Sequence, residues 1–166
     1  WVIDSSGSMD EEQQRVAAAV ARFAEVLEER EVDARLAVTT MEMAGDQAGC
    51  LKSVDGRRWF DLAADPVQEV TRFRTAVQVG ASDGTVETGL LAGLVAASGD
   101  RPCNEGFRRP DASLAFIFVS DEDDQSPMVL ETAQRWARIY NASSHAVVGD
   151  DRRALLDGVR GCISPD

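Results

Sequence analysis

Lysine, histidine and long apolar runs are almost missing from this chain of 166 residues. Lys52 is the single lysine, and the other sixteen positive charges are arginines. We read that bias as base composition and not as function. Neither a phosphate-loop lysine nor a Gly-x-Gly-x-x-Gly run occurs, so nucleotide binding lacks its motifs. His145 is the sole histidine. The three cysteines, Cys50, Cys103 and Cys162, show no C-x-x-C spacing and no nearby histidine, which argues against zinc. Positive charge is short overall, and the net charge is −12. So acidic a surface repels phosphate backbones and attracts cations. No apolar stretch approaches the ~20 residues of a membrane-spanning helix. Charged residues make up 28% and hydrophobic residues 44%, which excludes disorder as a description of the whole chain.

The length suits one domain over 1–166. We expect the chain to be trimmed at both ends and incomplete at its C-terminal end. Trp1-Val2-Ile3-Asp4 reads as the second half of a strand, and targeting signals could have been lost with the flanks. The cysteines leave two readings open. They are buried thiols, or one pair forms a disulfide in an oxidising compartment and the third has its partner elsewhere.

Apolar periodicity gives the elements. Val2-Ile3 ends a strand. Val16, Val20, Phe23 and Leu27 share one face of a helix over 10–30, with Ser8 and Glu11 in capping-box spacing before it. Residues 34–40 read as a strand, and a hairpin or edge strand is expected near 50–54. Asp65-Pro66 opens a helix carrying Val70, Phe73 and Val77. Residues 80–84 form a loop. A helix over 86–98 is expected to turn Leu90, Leu91, Leu94 and Val95 inward. Leu114 to Val119 is the strongest strand signal, a near-continuous apolar run that suits a central strand. Ser126-Pro127 starts a helix with Leu130, Ala133, Trp136 and Ala137. His145 to Val148 is a last strand. Alternating strands and helices predict an α/β fold, a doubly wound and mostly parallel sheet with helices on both faces.

Ligands of such sheets bind beyond the carboxyl ends of the strands. Three loops at that rim carry short oxygen side chains: Asp4-Ser5-Ser6-Gly7-Ser8, Asp83-Gly84-Thr85-Val86-Glu87-Thr88, and Ser120-Asp121-Glu122-Asp123-Asp124. Ligands that are all oxygen suit Mg²⁺, Mn²⁺ or Ca²⁺. Neutral hydroxyl ligands would leave such an ion strongly electrophilic. The bland alternative is that Ser6 and Ser8 only cap the first helix. For Glu122, Asp123 and Asp124, extra ligands and a merely solvated acidic loop both stay open.

The order Asp4-x-Ser6-x-Ser8, Gly84-Thr85, then Asp121 after a central strand resembles the metal-ion-dependent adhesion site of von Willebrand factor type A domains. The resemblance spans residues 1 to about 149. It implies a Rossmann-like sheet with one antiparallel edge strand. Ser6, Ser8 and Thr85 would hold Mg²⁺ (or Mn²⁺ or Ca²⁺) directly, with Asp4 and Asp121 acting mostly through water. An Asp or Glu carboxylate of a protein partner would fill the open position, and the module would not be an enzyme. The threonine loop departs from the commonest family form, which leaves Thr85 or Thr88 as the ligand; its place after glycine favours Thr85. The stretches Asn104–Asp111 and Phe118–Asp124 are similar to a bacterial branch found in envelope and surface proteins, which implies an extracytoplasmic location.

Two other classes compete. One is an intracellular subunit of the same family that recruits an AAA+ motor or chelatase component. The other is a metal-dependent hydrolase. Phosphoryl-transfer enzymes of the haloacid dehalogenase type place a second aspartate where Ser6 stands here. A Ser6–His145 pair is not expected, because His145 begins its strand at the opposite rim. Trp59, Trp136 and Tyr140 are expected to pack separately.

Overall fold

The computed structural model describes residues 1–82, 86–127 and 130–148. Among them, β1 (Val2–Ile3) and β3 (Thr39–Thr40) are short, while β5 (Leu114–Ser120) and β6 (Ala142–Val148) are long. These four form one all-parallel sheet in the order β3-β1-β5-β6. The predicted strand over 34–40 divides. Its first half, β2 (Arg35–Leu36), pairs antiparallel with β4 (Phe60–Asp61) in a separate two-stranded sheet, and its second half is β3. The expected antiparallel strand therefore belongs to this small sheet and not to the edge of the large one. A bridge joins Val54 to Arg57 across Asp55-Gly56. Both turn residues have positive φ, 51° and 76°, as a tight hairpin turn needs.

Helices cover both faces. On one, α1 (Asp10–Glu29) and α2 (Pro66–Ala76) bury Ala17, Val20, Phe73 and Ala76 against Ile3, Val38 and Val119. Trp1 meets Phe23 and Phe73 edge-on at 5.3 and 5.6 Å, adding aromatic contacts to that core. The other face carries α3 (Gly89–Ser98) and α4 (Leu130–Ile139), with Ala92, Ala97, Trp136 and Tyr140 against Val2 and Phe116. Strand β5 thus touches a core on each side, as its apolar run required.

Several local expectations need correction. Helix α3 begins at Gly89, not at 86, and Thr88 is its N-cap. Its most buried residues are the small ones, Gly89, Ala92, Gly93, Ala96 and Ala97, together with Leu94, while Leu90, Leu91 and Val95 are half-buried. Small side chains let the helix approach the sheet closely. A Cβ at Gly93 would stand 3.2 Å from Val2 and 3.3 Å from Phe116. Ser126 and Pro127 are not helical, and α4 is described from Leu130 onward. His145 lies mid-strand opposite Ile117, not at the far rim. Trp136 and Tyr140 are not separate, since their rings pack at 5.3 Å and the Arg108 guanidinium covers Tyr140 at 4.3 Å.

The start of α2 agrees with expectation. Pro66 occupies its first turn and the Asp65 carboxylate accepts from the Gln68 N–H at 3.2 Å. Asp65→Ala is expected to cost about 1 kcal/mol of stability in urea denaturation. An unchanged midpoint would show the cap to be idle.

Candidate functional site

Strands β1 and β5 run side by side, with Ile3 opposite Val119. From β1 the chain passes to α1 on one face, and from β5 it passes to α4 on the other. The two loops therefore diverge at the topological switch point beyond β1 and β5, where ligands of such sheets bind. Parallel register brings Asp4 beside Ser120, and the Ser120 hydroxyl donates to Asp4 Oδ2 at 2.7 Å. Asp4 Oδ1 accepts from the Ser6 N–H at 2.7 Å. Asp4 is fully buried, so its carboxylate is oriented from both sides.

The predicted set separates as follows. Ser6 and Ser8 meet, their Oγ atoms 3.0 Å apart. Neither caps a helix. A 3₁₀ turn, Gly7–Met9, precedes α1, and neither element has a side-chain cap bond. The capping-box reading of Ser8 fails because Ser8 lies inside that turn, which leaves Met9 as the N-cap of α1. Asp121 follows Ser120, and its Oδ1 is buried without a hydrogen-bond partner among the described residues. Thr85, with Asp83 and Gly84, lies outside the described residues. Thr88, the alternative, is buried, and its hydroxyl donates to the Met41 carbonyl at 2.9 Å.

Gln13 escaped the sequence reading, and Ser120, Asp124 and Glu87, read only as members of the rim loops, contribute in ways it did not assign. Gln13 is buried on α1; its Nε2 donates to the carbonyls of Asp4 (3.1 Å) and Gly80 (3.2 Å), and its Oε1 accepts from the Gly80 N–H (3.0 Å). It ties the first loop to the segment before the second. A polar residue in the buried stripe of α1, four before Ala17, was the available signal. Ser120 orients Asp4, as described. Asp124, in the acidic run, does not simply face water. Its Oδ1 accepts from the Leu90 N–H at 2.9 Å, and Ser126 Oγ accepts from the Leu91 N–H at 3.0 Å. The third loop thus caps α3 from outside, where the backbone N–H groups lack helical partners.

The fourth is Glu87, which is 4% exposed. Its carboxyl lies within hydrogen-bonding reach of Asp4, with the charges of Glu122 and Asp121 nearby. Burial first, then Asp4 and Glu122, push its pKa up from the usual carboxyl range to about 7. Its backbone carbonyl accepts from the Gln125 N–H at 2.6 Å, so the second and third loops are joined here as well.

Hydroxyl and carboxylate side chains are collected at this rim, and the Asp121 Oδ1 is buried without a hydrogen-bond partner among the described residues. Among the described residues, no three His, Cys, Asp or Glu side chains group as a metal cage. Two clefts lie away from this rim. One of about 380 Å³ is lined by Arg57, Arg58 and Trp59, and one of about 230 Å³ by Phe23, Leu27 and Ile117. Neither includes a residue of the predicted set.

Two structural features bear on setting. Cys50 and Cys103 form a disulfide, while Cys162 lies outside the described residues. No helix among the described residues is long and apolar enough to cross a membrane. No protein-family model matches this chain, and no curated protein matches it.

Proposed function

We propose that this rim binds a divalent cation in the manner of a von Willebrand factor type A domain, and that the chain is a non-catalytic protein-binding module. One observation carries the reading. The Ser6 and Ser8 hydroxyls face each other 3.0 Å apart beyond β1, released from any capping duty, beside the oriented carboxylate of Asp4. Ser6 and Ser8 would hold the ion directly and Thr85 would join them. Asp4 and Asp121 would act mostly through water. A bound Mg²⁺, Mn²⁺ or Ca²⁺ would supply an electrophilic position for an Asp or Glu carboxylate of a protein partner, a strong charge-assisted contact. Val86, 53% exposed at the same rim, offers apolar surface for such a partner. The Cys50–Cys103 disulfide supports an oxidising, extracytoplasmic setting over an intracellular motor-recruiting subunit. Against a hydrolase stands the mid-strand position of His145, three ladder positions short of the Ser120 pair.

Calorimetric titration of Mn²⁺ or Mg²⁺ into metal-free protein tests the reading. One site is expected in the wild type and none in the Ser6→Ala/Ser8→Ala double variant. Equal binding by both proteins defeats the assignment.

A further inference from the structure

We propose that the cleft beside the Cys50–Cys103 disulfide docks a carboxylate carried by a short acidic segment of a partner protein, independently of the cation rim. The cleft holds about 380 Å³ and is lined by Gly56, Arg57, Arg58, Trp59, Pro102 and Cys103. Its two walls are both tied to residues 50–51. Cys103 is bonded to Cys50, and the Arg58 guanidinium donates to the Leu51 carbonyl. Arg57 closes the hairpin against Val54 with backbone bonds of 2.8 and 2.9 Å. Trp59 is held as well. The Arg35 guanidinium lies 5.7 Å from its ring centre, and a Cβ at Gly106 would stand 3.1 Å from its ring edge. The cleft is therefore formed before a ligand arrives, which lowers the ordering cost of binding.

Its charge runs against that of the chain. Aspartate and glutamate number 29 against 17 basic residues, yet the cations here are not matched to carboxylates. Arg58 is held by the Leu51 carbonyl. Arg101, which leads into the Pro102-Cys103 wall, donates to the Asp46 carbonyl at 2.7 Å and approaches Cys50 Sγ at 3.9 Å. Neither forms an ion pair among the described residues. Arg57 reaches the buried Glu69 only at 3.6 Å, and Glu69 already has Arg72 at 2.6 Å. Asp55, on the same hairpin, is engaged by Arg72 at 3.5 Å. The Arg57 side chain is 56% exposed and can turn to a ligand. A guanidinium fork matches the two oxygens of a carboxylate. Trp59 supplies an apolar wall for the methylenes that carry it. The volume suits one acidic side chain and a neighbouring residue. The net charge of −12 repels a long polyanion such as a nucleic acid, whereas a short acidic segment brings few charges.

The probe is a capped peptide of alternating Glu and Ala, with its Gln and Ala counterpart as control. Each is titrated into the protein with a chelator present, so the rim cation takes no part, and the Trp59 indole N–H signal is followed by NMR. The Glu peptide is expected to move that signal and the Gln peptide to leave it in place. Arg57→Gln/Arg58→Gln is expected to bind the Glu peptide at least about tenfold more weakly than wild type. Ser6→Ala/Ser8→Ala is expected to bind it as wild type does. No binding of the Glu peptide, equal binding of both peptides, or unchanged affinity in the arginine variant overturns the proposal. Loss of binding in the serine variant overturns it too, by assigning the carboxylate to the rim. Tighter binding of an oligothymidylate than of the Glu peptide overturns the choice of partner. Circular dichroism checks the fold of the variants. Should the double arginine variant fail to fold, Arg57→Gln alone leaves Glu69 paired with Arg72. Binding about threefold weaker then supports the proposal, and wild-type affinity overturns it.

Discussion

Replacing Cys50 and Cys103 together with serine is expected to remove about 4 kcal/mol of stability and to lower the melting temperature by about 10 °C. The disulfide joins residues 53 apart in sequence, so cutting it frees a long loop in the unfolded chain. The native state around it is tightly held as well. Asn104, next to Cys103, is buried. Its Nδ2 donates to the Gly49 carbonyl at 2.7 Å and the Ala96 carbonyl at 3.3 Å, and its Oδ1 accepts from the Leu51 N–H at 2.8 Å. These bonds dock residues 49–51 onto the end of α3. With the disulfide gone, these bonds and that of the Arg101 guanidinium to the Asp46 carbonyl at 2.7 Å are left to close the loop. Urea denaturation of the double variant measures the loss, and a reductant should shift the wild type by the same amount. A midpoint indifferent to reductant would show that the bond does not form in solution. It would also remove the support for an oxidising compartment.

The second large effect is a pH dependence that runs against the usual behaviour of carboxylates. In the fold, burial beside Asp4 and Glu122 lifts the pKa of Glu87 to about 7 from the ordinary 4.5. A raised value means that the folded state favours the protonated form. The favourable contribution is complete below about pH 4.5, where both states hold the proton. It declines as pH rises, because the unfolded chain ionises first, and it is lost once pH passes about 7. The whole effect is on the order of 3 kcal/mol, with about 2 kcal/mol of it between about pH 5.5 and 8. Metal-free protein, kept so with a chelator, should therefore lose about 2 kcal/mol relative to Glu87→Gln over that interval. Parallel stability–pH curves for the two proteins would show that Glu87 titrates normally.

The alternation of strands and helices, the central place of β5, the helix start at Asp65-Pro66 and the neighbouring of the loops after β1 and β5 could be read from the chain. Each depends on local periodicity or on a residue whose backbone preference is strong by itself. A buried run with polar ends must be an inner strand of a parallel sheet, and proline after aspartate favours a helix start. Matters that turned on distance in space could not be read in this way. Whether Ser8 caps α1 depended on the 3₁₀ turn Gly7–Met9, which takes up Ser8 and leaves Met9 at the cap position. Whether the acids after Asp121 face water depended on α3 arriving beside them, where its bare N–H groups accept Asp124 as a cap. Glu87 was one oxygen side chain of the second loop, and only tertiary packing buried it. Electrostatic cost and hydrogen-bond satisfaction are properties of neighbours in space. The sequence alone therefore determined which loops reach the rim and what oxygens they carry, and the packing of α3 against β1 and β5 decided which of those oxygens meet.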